Sequence, residues 1–480
     1  SMKMRSERIT VKKCFSNSQE DKSVVIKKSA LIQYTLLYLM MVFNGGIMYT
    51  VLMSELPSVI TILMYAIVAF GFLSYLFKRS KYGNPYCIII TVILTASVVI
   101  VRYISGGVGI AALVEYLTCI MLPFLALCVD KNRFVERVID AVCLFAVISV
   151  VCYFVQIAAP EVLQSVLKPF NSSFSYNDWS AAAYGGNAVK RFYMAWGRLF
   201  FTMREQEMTR NLGIYTEPGN YQIVLNSAMY MLLFVPTMQR YSIKQFKRRF
   251  FVLSSAVLTC QSTSGYLILF ALILCYFLGL NKMSEMSAAK GTISAMVFVA
   301  IGILVVDYFI RGSGSLLNHA FFSKLFSDGS IDVNASTGYY RIGSIATAFA
   351  TMLSHPFGVG FDRLFSNLQN NFTGAAGGAL ASFGAALGMI PFISTILWHI
   401  RPIVRNRRVE KSAKVAFVIL FLQATMAQSK VFYPFIVAIV LIFEIERGSG
   451  TFAYGIETKH TGYNDSNVNE DEIFYSRVKG

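Results

Sequence analysis

Charged residues are scarce in this chain of 480 residues and make up only 14% of it. A soluble domain carries about 25% charged residues, so the composition excludes an ordinary water-soluble enzyme or binding module. Hydrophobic residues make up 55% of the chain. They recur in runs that suit a bilayer core, which needs roughly 20 apolar residues per helix. The sequence therefore predicts an all-α integral membrane protein.

The sequence also lacks the patterns that hold metals or disulfides. Its eight cysteines form no CxxC pair and no metal-ligand spacing. The long polar segments hold no acidic cluster resembling the DxD sites that bind a metal together with a sugar nucleotide. We therefore expect no disulfide, no metal and no cofactor.

Acidic residues are outnumbered, with 26 aspartates and glutamates against 43 lysines and arginines and a net charge of +17. Such an excess can indicate nucleic-acid binding, but most of these basic residues lie in short segments between the hydrophobic runs. Cytoplasmic loops of membrane proteins are rich in lysine and arginine. We therefore attribute the charge to topology and expect no nucleic-acid partner.

Hydrophobic runs define the expected membrane domain, 30–446, between a basic N-terminal tail, 1–29, and a polar C-terminal tail, 447–480. A single helix over 249–280 would be about 48 Å long, well beyond a bilayer core of roughly 30 Å. Turn-forming residues at 261–265 interrupt that run, so it is expected to form two short spans. About 12 transmembrane helices then follow from the runs 30–53, 57–78, 86–101, 108–129, 138–159, 218–236, 249–280, 291–310, 374–400, 412–429 and 431–446.

Two long polar segments, 160–217 and 311–373, face the same outer compartment if the chain has twelve spans. If the run 249–280 is instead a single span, the two segments fall on opposite sides of the membrane. The twelve-span arrangement places nineteen lysines and arginines in short inner loops and only Arg102 and Lys430 in short outer loops. We therefore predict two large outer loops and cytoplasmic tails, the N-terminal one lacking the apolar core of a cleavable signal peptide.

The most specific stretch is RNLGIYTEPGNY, residues 210–221, at the start of the run 218–236. Pro218 fits the first turn of a helix, where no N–H is required, so we expect Glu217 at the mouth of that helix. The helix dipole favours a carboxylate there. Alone, the pattern fits a helix-start anion paired with Arg210 as well as a functional carboxylate.

The second stretch runs from TGYYRIGS to HPFGVG, residues 337–360. Its segment 340–353 is expected to form an amphipathic helix at the membrane interface, with Arg341 at its start and Pro356 beyond its end. In isolation, Arg341 fits a headgroup contact as well as a substrate contact. His355 fits a cap near the helix end as well as a chemical role.

One carboxylate, Glu115, lies inside an apolar run, about 10 Å from the expected outer end of its helix. A charge within a span is costly and is normally paired. We expect Arg102 or Lys430 to pair with it, with substrate contact and a proton relay as the alternatives.

Together these stretches resemble the O-antigen polymerase and ligase superfamily, the Wzy-type membrane glycosyltransferases that act on undecaprenyl-diphosphate-linked sugars. The resemblance covers mainly the C-terminal half of the chain and implies a GT-C-like fold. It is carried by the RxxGxxxEPG-like stretch 210–219, the Ser-Thr-Ser-Gly turn ending at Gly265, the stretch from Arg341 to HPFGVG, and the glycine-rich run with Gly384, Gly388 and Pro391.

The resemblance implies that Arg210 and Arg341 bind the lipid diphosphate. A guanidinium stays charged and binds phosphate oxygens through a fork of N–H groups. The acceptor hydroxyl needs a base, for which Glu217 and His355 are the candidates. Glu217 is favoured, but tight pairing with Arg210 would make it a weaker base and keeps His355 a candidate.

Further substrate contacts are expected from basic and aromatic side chains of the same loops, namely Arg191, Arg198, Tyr215, Tyr339 and Tyr340. Aromatic faces suit sugar stacking as well as the membrane interface, so both roles stay open for the tyrosines. The two arginines fit a phosphate or an anionic sugar, and they also fit ordinary solvated loop charges.

The resemblance predicts a polymerase at the outer face of a bacterial plasma (inner) membrane, surrounded by membrane lipid. It would join undecaprenyl-diphosphate-linked oligosaccharides into O-antigen or a related surface polysaccharide, with a chain-length regulator as a candidate partner. The alternatives are a ligase and a non-catalytic flippase. Ligases carry a histidine where this chain has Gly377-Gly378, and a flippase is expected to show internal repeats, of which none is clear.

Overall fold

The computed structural model is mostly helical. The described part also contains short strands, which the expected all-α architecture does not include. The residues it describes are 8–11, 24–49, 53, 56–82, 86–106, 110–159, 161–162, 165, 190–195, 200–205, 208–235, 241–280, 302, 306–312, 326–327, 330–331, 336–371, 378–407, 409–428 and 430–449.

The helices of the described part are numbered here in chain order. They are α1 Lys28–Phe43, α2 Pro57–Tyr82, α3 Tyr86–Ser105, α4 Ile110–Val129, α5 Phe134–Ala158, α6 Pro218–Phe234, α7 Ile243–Thr259, α8 Thr263–Leu280, α9 Ser336–Ser354, α10 Phe361–Asn371, α11 Ala379–Leu387, α12 Met389–Arg405, α13 Lys411–Ala427 and α14 Pro434–Ser449.

Among the residues that the structure describes, four apolar helices, all within 57–158, are long enough to cross a membrane. Their apolar spans are Pro57–Phe77, Cys87–Ser105, Ile110–Val129 and Lys131–Ala158. Shorter apolar helices cover Ser29–Phe43, Thr263–Gly279, Gly343–Ser354 and Pro434–Glu444. These helices indicate a membrane-embedded protein.

The strands form small antiparallel sheets that the hydropathy pattern did not predict. The largest has the order β3-β4-β5 and places Arg210 on its edge strand, opposite Met203. Strand β5 packs against α5 and α7. The strands are β1 Arg8–Val11, β2 Val24–Lys27, β3 Lys190–Ala195, β4 Phe200–Glu205, β5 Met208–Asn211, β6 Phe326–Ser327 and β7 Ser330–Ile331.

Helix α6 is the central helix of the described part. Every residue from Gly219 to Phe234 is buried. Helices α5, α7, α8, α13 and α14 all pack against it. Because this helix is buried on all sides, its polar residues included, its position is set by packing against these neighbours.

Two of the hydrophobic runs divide into separate helices. The predicted split of the run at 249–280 is confirmed, because α7 ends at Thr259 and α8 begins at Thr263. The run at 374–400 does not form one continuous helix, because Gly388 separates α11 from α12. The run at 30–53 does not form one continuous helix either, because α1 ends at Phe43 and a turn follows.

Candidate functional site

The mouth of α6 is built as the sequence predicts. Pro218 is the first residue of the helix, and Glu217 precedes it in an extended conformation, with φ −139° and ψ 144°. The Glu217 carbonyl accepts hydrogen bonds from the backbone N–H groups of Asn220 at 3.2 Å and Tyr221 at 3.3 Å. The side chain of Glu217 is exposed. A carboxylate is therefore presented at the positive end of a buried helix.

The segment before this mouth is held by the turn that follows α1. Ile47 donates its N–H to the Ile214 carbonyl at 2.8 Å, and Gly46 and Tyr215 form an isolated antiparallel bridge. Gly213 has φ +55°, and a Cβ atom there would lie 2.8 Å from the ring of Tyr221. Glycine is thus required by both backbone conformation and space.

Asn211 anchors the residue next to Arg210. Its Nδ2 donates to Thr259 Oγ1 at 2.9 Å and to Ser149 Oγ at 3.2 Å. Ser149 in turn shares a hydrogen bond of 2.7 Å with the Tyr221 hydroxyl. These bonds join α5, α6 and α7 directly beneath Arg210, which fixes the backbone that carries the guanidinium.

Arg210 itself is half-buried. Its neighbour Asn211 is bonded to Thr259, the last residue of α7, directly before the turn between α7 and α8. Gln261 in that turn donates to the Tyr153 hydroxyl at 3.0 Å. The structure thus places the backbone that carries Arg210 at the end of α7, next to the Ser-Thr-Ser-Gly turn that ends at Gly265, although the two motifs lie about fifty residues apart in the sequence.

The HPFGVG stretch packs against the break between α11 and α12. Val359 and Gly360 donate to the carbonyls of Ala385 and Ala386, each at 3.0 Å. A Cβ atom at Gly358, which has φ +89°, would lie 2.4 Å from the Ala386 carbonyl oxygen. The glycines of this motif therefore serve a close backbone-to-backbone contact.

His355 follows the last residue of α9, consistent with the predicted end of that helix before Pro356. Its side chain is exposed, and its Nδ1 lies 3.0 Å from the hydroxyl of Ser354. The described contacts tie the two motif stretches to different helices, the first to α1, α5 and α7 and the second to α11 and α12.

The other predicted site residues are described less fully. Arg198 lies outside the described residues. Arg191 lies in β3, and α9 begins at Ser336, so the backbone of Tyr339, Tyr340 and Arg341 lies in its first two turns. Arg341 is thus five residues inside the helix, which begins earlier than the predicted segment 340–353.

Tyr215 is buried, with its ring stacked on that of Tyr221 at a centroid distance of 5.3 Å. It shapes the mouth of α6 through this packing. Its contact with substrate stays a prediction.

The half-buried carboxylate Glu115 pairs with Lys430, as one of the two sequence alternatives predicts. The Lys430 Nζ atom lies 2.7 Å from Glu115 Oε1 and donates to the Phe43 carbonyl at 3.1 Å. It also lies 4.9 Å from the ring centroid of Tyr49. Arg102, the other candidate partner, has an exposed side chain at the end of α3.

Sequence reasoning missed the buried amides around this pair. Asn44, Asn220 and Gln428 are all less than 9% exposed and lie where α1, α6 and α13 begin or end. A Cβ atom at Gly219 would lie 2.0 Å from Gln428 Nε2. For Asn44 and Asn220 the available signal was an amide next to a glycine at the edge of an apolar run, whereas Gln428 has no glycine beside it in the sequence.

Within the part of the chain that the structure describes, no three His, Cys, Asp or Glu side chains gather as metal ligands. Comparison with known proteins gives no assignment, because no family model and no curated protein matches the chain.

Proposed function

We propose that the chain is a membrane glycosyltransferase that polymerises undecaprenyl-diphosphate-linked oligosaccharides into O-antigen or a related surface polysaccharide. The proposed fold is GT-C-like, with about 12 spans, cytoplasmic termini and the active site on the outer face of a bacterial plasma membrane. One observation supports this most, the packed segment that presents Arg210 beside the α7–α8 turn and Glu217 at the mouth of α6.

The reaction is a displacement at an anomeric carbon. A sugar hydroxyl of the incoming repeat unit forms a bond to C1 of the first sugar of the growing chain. The bond from C1 to the phosphate oxygen breaks, and its electron pair leaves with undecaprenyl diphosphate. Arg210 and Arg341 neutralise this leaving group, and fixed charges of this kind act most strongly where water is excluded.

The proton of the attacking hydroxyl needs an acceptor, and Glu217 is the favoured base. Its exposed carboxylate reaches substrate from a helix mouth that backbone contacts hold on two sides. His355 is the alternative, because it is exposed and its ring is oriented by Ser354. The exchange Glu217→Gln tests the choice, since it keeps the shape of the side chain and removes its basicity.

The test is polymer formation in a strain that lacks its own polymerase. Arg210→Ala and Arg341→Ala are each expected to lower polymer output at least about tenfold at matched membrane levels, since a hydrogen bond to a charged group is worth about 1.5–3 kcal/mol. Arg210→Lys keeps the charge but loses the fork, so its output should stay low. Arg102→Ala and Arg363→Ala remove exposed arginines and serve as controls.

The remaining outcomes of this experiment distinguish the polymerase from a flippase and a ligase. Normal polymer from both alanine variants would exclude the two-arginine site. If the wild type makes no polymer but moves lipid-linked units across the membrane, the protein is a flippase. If it transfers finished chains to a separate acceptor, it is a ligase.

A further inference from the structure

We infer that Tyr433 and the Lys430–Glu115 ion pair are positioning residues that hold the mouth of α6, and with it Glu217, in the geometry that turnover requires. This inference rests on the proposed function, because the catalytic role of Glu217 belongs to it. The contacts of Glu115, Lys430 and Tyr433 that carry it lie outside the two motif stretches and reach the first of them at Asn220.

Lys430 lies in the link between α13 and α14 and ties that link to two other helices. Its ammonium group contacts Glu115 on α4 at 2.7 Å and the last carbonyl of α1, that of Phe43, at 3.1 Å. The Lys430 side chain is 18% exposed and that of Glu115 is 30% exposed. Because the pair is largely withdrawn from water, separating its partners would leave two unpaired charges. The pair therefore opposes movement of the link away from α4 and α1.

Tyr433 connects Lys430 to the first turn of α6. Its side chain is fully buried, and its hydroxyl accepts the Lys430 backbone N–H at 3.3 Å and donates to Asn220 Oδ1 at 3.4 Å. Asn220 lies in the first turn of α6 and donates its own N–H to the Glu217 carbonyl at 3.2 Å. A continuous path of contacts therefore runs from Glu115 to Glu217.

One further contact shows that this link bears on the mouth of α6. Gln428 packs so closely on the first turn of α6 that only glycine fits at position 219 without moving its side chain. A shift of the link would therefore displace the first turn of α6, and a displacement of about 1 Å can cost about 100-fold in rate.

Tyr433→Phe is the sharpest test, because it removes one oxygen atom and leaves the buried ring. In the full-length protein it is expected to lower kcat for polymerisation about tenfold with KM nearly unchanged, since the lost geometry serves turnover and not uniform binding. The matched control is Tyr230→Phe. Tyr230 is also fully buried, and its hydroxyl donates to the Ala413 carbonyl at 3.1 Å, away from the mouth. We expect wild-type kcat from the control.

The ion pair is tested with Glu115→Gln, Lys430→Met and the double variant. Each single change leaves a partly buried charge without its partner and is expected to lower the unfolding temperature in detergent, whereas the double variant removes both charges and recovers much of it. A purely structural pair predicts that the recovered double variant is fully active. A positioning role predicts that its kcat stays low, because a methionine does not anchor the link.

A readout without activity separates this inference from the proposed function. Glu217→Cys is labelled with a charged thiol reagent, alone and combined with Tyr433→Phe or Tyr230→Phe, and the labelling of the parent protein is subtracted. Only the combination with Tyr433→Phe should change the labelling rate. If the wild type does not polymerise, the proposed function fails, and the labelling rates alone then test the positioning role of Tyr433. Unchanged labelling, or a kcat of Tyr433→Phe equal to that of Tyr230→Phe, overturns the inference.

Discussion

Arg249 and Asp140 form a second partly buried ion pair, which joins α7 to α5 at the end opposite the mouth of α6. The Nε and Nη2 atoms of Arg249 lie 2.9 and 2.6 Å from Asp140 Oδ1. The Tyr241 hydroxyl donates to the same oxygen at 3.1 Å, and the Tyr241 ring lies 3.8 Å from the guanidinium carbon. Burial and the charge of Asp140 raise the pKa of Tyr241, so its hydroxyl stays a donor.

Asp140→Asn is expected to lower the free energy of unfolding by about 2 kcal/mol, because it replaces charge-assisted hydrogen bonds by weaker neutral ones. The measurement is the unfolding temperature of the detergent-purified protein. Asp362→Asn, which changes an exposed carboxylate on α10, is the control. Equal unfolding temperatures for the two variants would show that the Asp140 contacts contribute nothing to stability.

Sequence alone predicted one helix break and missed another, and the difference lies in what causes each. The break at 261–265 consists of polar turn-forming residues within an apolar run, so the local sequence reveals it. The break at Gly388 depends on Pro356, whose carbonyl accepts the Met389 N–H at 2.8 Å. A partner this far away in the sequence leaves no local signal, and glycine is common inside apolar helices.

Gly388→Ala is expected to destabilise the break between α11 and α12. Gly388 has φ +99°, and a Cβ atom there would lie 2.5 Å from the Pro356 carbonyl oxygen. Gly106 has φ +71° but open space around it, so Gly106→Ala carries the backbone strain without the clash. Strain alone costs about 1–3 kcal/mol. The yield of monodisperse protein in detergent should fall further for Gly388→Ala, and equal yields would exclude the backbone contact as the cause.

At the scale of the whole molecule, the hydropathy pattern predicted which segments are apolar but not how they are arranged. It gave α6 as one span among many, whereas the structure buries it on all sides, including its polar residues Asn220, Gln222 and Asn226. It offered two partners for Glu115 and could not choose, because Lys430 lies 315 residues away. Local motifs thus predicted the mouth of the site, and the contacts that support it required the fold.

The twelve-span topology makes one further prediction that the proposed site depends on. Arg210 and Arg341 can share one diphosphate only if the loops 160–217 and 311–373 lie on the same side of the membrane. That condition requires α7 and α8 to be two separate crossings. The structure separates them at Cys260–Ser262, and two crossings return the chain to its starting side.

Paired fusions to two reporters test this topology. Alkaline phosphatase is active only on the outer side of the membrane, and the fluorescent protein matures only in the cytoplasm. Fusions after residues 185 and 330 should give phosphatase activity, and fusions after residues 285 and 460 should give fluorescence. If the fusions at 185 and 330 report opposite sides, the two arginines cannot meet, and Arg210 would have to act without Arg341. If they agree, the charge asymmetry of the short loops predicts the side, because nineteen of their basic residues then lie in the cytoplasm.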